Sequence, residues 1–85
     1  MTTLEEERIK IITDAYEHRR REVMHHQINI DNYKLALVEI AENHADNPAM
    51  AEFADRLREL LSSSLVEQAK EAIMRDVMAK QLEAN

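Results

Sequence analysis

Apolar side chains recur along the first half of the chain in steps of three and four residues, which is the repeat of a helix that packs lengthwise against a partner. The repeat keeps its phase from residue 9 to residue 44, so it predicts one helix over about residues 4–45. Three of its positions are polar. The whole row, called the first seam below, is Ile9, Ile12, Tyr16, Arg19, Val23, His26, Ile30, Tyr33, Leu37, Ile40 and His44.

Local residues bear on where this helix begins and on whether it is continuous. Thr3 and Glu6 have the spacing of a capping box, which predicts a start at about Leu4. The segment 27–33 alternates polar and apolar residues and contains asparagine and aspartate, which are poor in helix interiors. A break at residues 29–31 is one interpretation, but the unbroken phase of the first seam favours a continuous helix.

A second helix is predicted over about residues 48–83. The Asp-Asn-Pro segment 46–48 separates it from the first, because a residue before proline avoids helical geometry and proline is tolerated in a first helical turn. Its apolar stripe drifts across residues 62–64, so the sequence permits either a stutter or a break at which Ser64 and Glu67 cap a third helix. The stripe is Met50, Phe53, Leu57, Leu60, Leu61, Leu65, Val66, Ala69, Ala72, Ile73 and Val77.

Composition and connection length together predict the fold. The chain has no glycine and one proline in 85 residues, and strong helix formers fill it. A short connection between two long helices makes them antiparallel, so we expect an all-α helical hairpin in a single domain over residues 1–85. Two hairpins that dimerise into a four-helix bundle would cover the apolar shoulders, whereas a monomer of three or four shorter helices is the alternative. These shoulders are Ile11, Ile28, Leu35, Val38, Leu61, Leu65 and Met78.

Charge and cysteine content narrow the functional classes. The net charge is −6, and eleven Lys and Arg residues interrupt seventeen Asp and Glu residues. The chain therefore has neither the basic field of a nucleic-acid binder nor the dense acidic field of a DNA mimic. The absence of cysteine excludes disulfides and thiolate metal sites and suits a reducing compartment. With an acidic start and no run of about 18 apolar residues, the expected location is the cytoplasm.

A row of hydrogen-bonding side chains lies beside the first seam in steps of four and three residues. It consists of His18, Glu22, His25, Asn29 and Asn32. These side chains mix donors with acceptors and include few long, flexible ones, so ordering them costs little entropy when another protein binds. We predict that this row is a binding face, with a solvated surface as the simpler interpretation.

Glu22 and His25 also form a Glu-x-x-His pair, which is the spacing of di-iron helical bundles. An antiparallel hairpin brings Glu67 or Glu71 near this pair as a further carboxylate, and Glu22, His25 and Glu71 are the candidate metal ligands. The phase of the first seam points His26 toward the core and leaves the pair on the flank, whereas ligands of a buried site must point inward. A metal centre is therefore an alternative hypothesis, and the expected cofactor is none.

Arg19, Arg20 and Arg21 form a basic cluster that suits phosphate binding, so a nucleic-acid-binding hairpin is a second hypothesis. In an antiparallel hairpin Arg19 also lies near Glu71 or Asp76. A seam arginine that pairs across two helices sets their register. That structural role is the simpler explanation of Arg19.

The sequence contains no nucleophile elbow, phosphate-binding loop, cysteine pair or dinucleotide fingerprint. We therefore expect no enzyme. The favoured function is a non-catalytic protein–protein interaction or regulatory module, which acts as a homodimer and binds a further protein.

Overall fold

Two antiparallel helices account for most of the chain in the computed structural model, which describes residues 3–84. Helix α1 spans Leu4–Asn43 and helix α2 spans Pro48–Glu83, so the predicted all-α hairpin is confirmed. The outer limits of the predicted domain, residues 1 and 85, lie outside the described residues. Neither helix has a stretch that is both long and apolar enough to cross a membrane.

The first turn of α1 is closed by the predicted capping box. The Thr3 hydroxyl accepts a hydrogen bond from the Glu6 backbone N–H at 3.1 Å, and the Glu6 carboxylate accepts one from the Thr3 N–H at 3.3 Å. Acidic side chains at residues 5–7 lie at the positive end of the helix dipole. The helix begins at Leu4, as predicted.

Capping residues also define the connection between the helices. Helix α1 ends at Asn43 rather than near residue 45, and the C-cap residue His44 still donates its backbone N–H to the Ile40 carbonyl oxygen at 2.9 Å. The Asn47 side chain accepts a hydrogen bond from the Ala49 N–H at 3.1 Å. Pro48 takes the first helical position, where the backbone needs no donor. The second helix thus begins where the sequence predicts.

Both helices are continuous through the segments in which the sequence permitted a break. Residues 27–33 are helical, and Gln27 donates a hydrogen bond to Asp31 one turn later at 2.9 Å. Residues 62–64 are helical as well, so a third helix does not begin at Ser64. Packing along a long seam overrides the weak helix propensity of single asparagine, aspartate and serine residues.

The first seam of α1 faces α2, as predicted. Ile12, Ile30 and Ile40 are buried, and Ile30 is only 1% exposed. The other seam positions between Ile9 and Leu37 are half-buried. His44 is the exception, because it lies beyond the end of α1 and is exposed.

The packed face of α2 differs from the apolar stripe that the sequence predicts. Its buried and half-buried positions are Met50, Ala54, Leu57, Leu61, Ser64, Gln68, Glu71, Ala72, Arg75, Met78, Ala79 and Leu82. The predicted positions that are instead exposed are Phe53, Leu60, Leu65, Val66, Ala69, Ile73 and Val77. For these residues the prediction is wrong. Glu71 and Gln68 of α2 face α1, where they contact Arg19 and the Val23 carbonyl oxygen, and this rotation of α2 turns the apolar side chains outward.

The main buried cluster is small and lies at the loop end of the hairpin. Ile40, Ala54 and Leu57 form it, and Tyr33, Ala36, Leu37 and Met50 pack against it. The molecule measures 66 × 18 × 15 Å. Its radius of gyration is 19.1 Å, against about 12 Å for a compact domain of this length. Such an elongated shape leaves both long sides of the hairpin in contact with solvent.

Candidate protein interaction face

A charged pair joins the two helices midway along the hairpin. Arg19 Nη1 lies 3.1 Å from Glu71 Oε1 and 2.9 Å from Oε2, so one nitrogen donates to both carboxylate oxygens. The two side chains are 33% and 18% exposed. Water and salt therefore screen their attraction less than on an open surface. The predicted pairing of Arg19 with Glu71 is confirmed, whereas Asp76 contacts its neighbour Arg75 at 3.1 Å.

Gln68 adds a second polar contact between the helices. Its Nε2 donates to the Val23 carbonyl oxygen at 3.2 Å and to Gln27 Oε1 at 2.8 Å. The Gln68 contacts and the Arg19–Glu71 pair lie within one helical turn of each other along α2. A slide of one helix by a turn would break all of them, so they fix the register of the hairpin.

The five residues of the predicted binding face form a stripe on one side of α1, next to its packed face. Glu22 and Asn29 are half-buried, whereas His18, His25 and Asn32 are exposed. Steps of four and three residues keep them in line over about 21 Å of helix. The structure thus brings the five side chains together as one polar stripe, and their role in binding stays a prediction.

An apolar row of α2 runs beside this polar stripe. Phe53, Leu60 and Met74 are spaced by multiples of seven residues and are 52%, 48% and 38% exposed. The exposed Glu67 occupies the one polar position between Leu60 and Met74. Phe53 shares a shallow groove with Ala36, which lies seven residues beyond Asn29 on the same side of α1. Sequence reasoning missed this row because it placed Phe53 and Leu60 against α1. The packed face of α2 can be followed from the buried Leu57 in steps of three and four residues if polar residues are allowed at packed positions. This count leaves Phe53 and Leu60 on the exposed side.

The basic cluster does not form one surface. Arg19 contacts Glu71 on the packed side of α1, and Arg20 pairs with Glu17 at 2.9 Å. Arg21 is exposed. Consecutive residues point about 100° apart around a helix, so the three guanidinium groups diverge. Nucleic-acid binding stays the alternative hypothesis, with two of the three cations of the cluster already paired within the chain.

The candidate metal ligands are separate side chains in the hairpin. Both carboxylate oxygens of Glu71 accept hydrogen bonds from Arg19, and Glu22 is half-buried on the flank of α1. His25 is exposed, and its ring centroid lies 6.2 Å from that of His26. Across residues 3–84, no three histidine or acidic side chains converge in an arrangement suited to a metal ion. A metal site built on these residues would need ligands from a second chain.

The chain matches no protein-family model, no curated protein sequence and no solved structure.

Proposed function

We propose that this protein is a non-catalytic protein–protein interaction module that acts as a homodimer. The exposed surface carries the proposal. The hairpin exposes 6515 Å², whereas a compact monomer of its 9.9 kDa mass exposes about 5,200 Å². The excess, about 1,300 Å², is larger than the roughly 800 Å² that each partner contributes to a standard protein interface.

The balance of buried and exposed hydrophobic side chains supports the same proposal. Within residues 3–84, five hydrophobic residues are buried and thirteen large hydrophobic side chains are exposed. Chains slightly shorter than this one, below about 80 residues, commonly complete their core with disulfides, a structural metal or a partner subunit. The sequence has no cysteine, which excludes disulfides. A second copy of the chain is the partner that is always available in the same compartment.

The polar stripe of α1 and the apolar row of α2 give this dimer the mixed surface of a protein interface, in which apolar contacts are accompanied by hydrogen bonds. The stripe contains histidine and asparagine side chains, which both donate and accept, and a glutamate, which accepts. A homodimer leaves the more acidic parts of the surface free, and these are available to the further protein expected from the sequence.

Sedimentation equilibrium of the full chain at several micromolar concentrations tests the proposal. We expect a single species at twice the 9.9 kDa chain mass, with high helix content by circular dichroism in the same samples. A helical species that keeps the mass of one chain over the whole concentration range would contradict the homodimer. The same samples can then be titrated with a candidate partner protein.

A further inference from the structure

We propose that the second copy docks on one particular side of the hairpin, which we call the neutral face. This inference rests on the proposed homodimer and names the surface that forms it. The neutral face consists of four rows, and the residues of each row follow one another at intervals of seven. Two rows lie on α1, one through His18 and one through Glu22. The other two lie on α2, one through Leu60 and one through Ser63. Residues spaced by seven lie on the same side of a helix.

The rows of the two helices lie on the same side of the hairpin. Ala36 belongs to the row of Glu22, and Phe53 belongs to the row of Leu60. These two side chains line one shallow groove between α1 and α2. The polar stripe of α1 and the apolar row of α2 are therefore parts of one continuous surface.

The opposite flank of the hairpin provides the comparison. It consists of the rows that contain Met24 and Gln27 on α1 and Ser62 and Leu65 on α2. These rows carry four basic and six acidic residues, a net charge of −2. The neutral face carries three of each, and its charged residues are Arg8, Arg56, Lys70, Glu22, Glu39 and Glu67.

Charge balance favours the neutral face for self-association. A two-fold contact places a surface against a copy of itself, so a net charge on that surface meets the same charge on the partner. Like charges brought together across an interface are costly. The neutral face has no net charge, so it avoids this repulsion. The net charge of −6 lies on the other residues, which stay in solvent or are already inside the hairpin.

Apolar side chains favour the same side. Six of the thirteen exposed large hydrophobic residues lie on the neutral face and three lie on the opposite flank. The six are Leu4, Ile11, Phe53, Leu60, Met74 and Val77. A helix in a four-helix bundle buries a wider stripe than the seam of a two-helix hairpin, and the neutral face adds this width beside the existing seam.

Two leucines of α2 offer a matched test, because Leu60 is 48% exposed on the neutral face and Leu65 is 45% exposed on the opposite flank. We expect Leu60→Glu to raise the dimer dissociation constant by about 100-fold or more, since a two-fold contact carries the substitution twice. Leu65→Glu should change it by less than about threefold, as an exposed site outside an interface does. Sedimentation equilibrium gives the dissociation constants, and circular dichroism checks that each variant is helical.

The outcomes separate this inference from the proposed function. Dissociation of the Leu65→Glu dimer with an intact Leu60→Glu dimer would overturn the neutral face and keep the homodimer. Two intact dimers would also overturn the neutral face. A wild-type protein that is already monomeric would instead overturn the proposed function.

Cysteine labelling provides a second measurement that does not perturb the apolar residues. The chain has no cysteine, so Ser63→Cys places a single thiol on the neutral face and Ser62→Cys places one on the opposite flank. Both serines are exposed in the hairpin. We expect alkylation of the Ser63→Cys thiol to slow by about fivefold or more as dimer forms with rising protein concentration. Equal slowing at both positions, or slowing at Ser62→Cys alone, would overturn the assignment.

Discussion

Arg19 and Glu71 are 52 residues apart in the sequence, yet one nitrogen of the guanidinium lies 2.9 and 3.1 Å from the two carboxylate oxygens. The pair lies midway along the hairpin, next to Gln68, whose amide contacts α1 at the Val23 carbonyl oxygen. Aliphatic packing is concentrated at the loop end, around Ile40. Polar contacts therefore set the register away from the apolar cluster at the loop end.

The Arg19–Glu71 pair should contribute measurably to stability. A double-mutant cycle with Arg19→Ala and Glu71→Ala is expected to give a coupling energy of about 1 kcal/mol in chemical unfolding, because the charged hydrogen bonds are partly shielded from water. Asp55 and Arg58 form the control pair, since they lie 2.8 Å apart on an open helix surface. Their coupling should be about 0.3 kcal/mol. Equal coupling in the two cycles would show that Arg19 does not join the helices as described.

Two isoleucines of α1 test the phase of the packed face. Ile30 is 1% exposed and Ile28 is 58% exposed, although only one residue separates them. Ile30→Ala should lower the free energy of unfolding by about 3 kcal/mol, because it leaves a cavity between the helices. Ile28→Ala should change it by less than about 0.5 kcal/mol. Urea unfolding measures both, and similar losses would contradict the assigned orientation of α1.

RNA binding by the arginine cluster is expected to be absent. Arg19 and Arg20 already pair with carboxylates, and the chain has a net charge of −6, which repels phosphates. Fluorescence anisotropy with labelled single-stranded and duplex RNA, at low and physiological salt, measures this. Binding that weakens steeply with salt and is lost in Arg20→Ala and Arg21→Ala, but is kept in a Lys34→Ala control, would favour the nucleic-acid hypothesis instead.

Metal binding is also expected to be absent at stoichiometric levels. The Glu71 carboxylate is occupied by Arg19, and His25 lies exposed on the flank of α1. Native mass spectrometry after incubation with iron(II), manganese or zinc measures bound ions directly. Ions present at one or more per two chains would contradict this expectation if Glu22→Ala and His25→Ala removed them while His18→Ala did not.

The sequence predicts most of the fold because the deciding signals are local. Thr3 and Glu6 mark the start of α1, Pro48 marks the start of α2, and the first seam shows which side of α1 is packed. The orientation of α2 could not be predicted in the same way. Its residues Gln68 and Glu71 face inward because of partners on the other helix, and hydrophobicity along α2 carries no information about those partners.

The candidate site, like the fold, could be predicted from the sequence only in part. The polar stripe from His18 to Asn32 follows from helical spacing alone, so the sequence places its five members on one side of α1. The neighbouring apolar row with Phe53 and Leu60 could not be predicted from helical spacing alone. It is exposed because polar side chains occupy packed positions of α2. The whole face is therefore defined only by the way in which the two helices pack against each other.

Thermal unfolding at several protein concentrations tests most directly whether the hairpin depends on a second copy. Unfolding of a dimer releases two chains, so its midpoint temperature depends on concentration. We predict a rise of about 4 °C for each tenfold increase in concentration, given the unfolding enthalpy of two chains of this length. A midpoint that does not change with concentration would contradict the central claim, because it would show a hairpin that unfolds as an independent monomer.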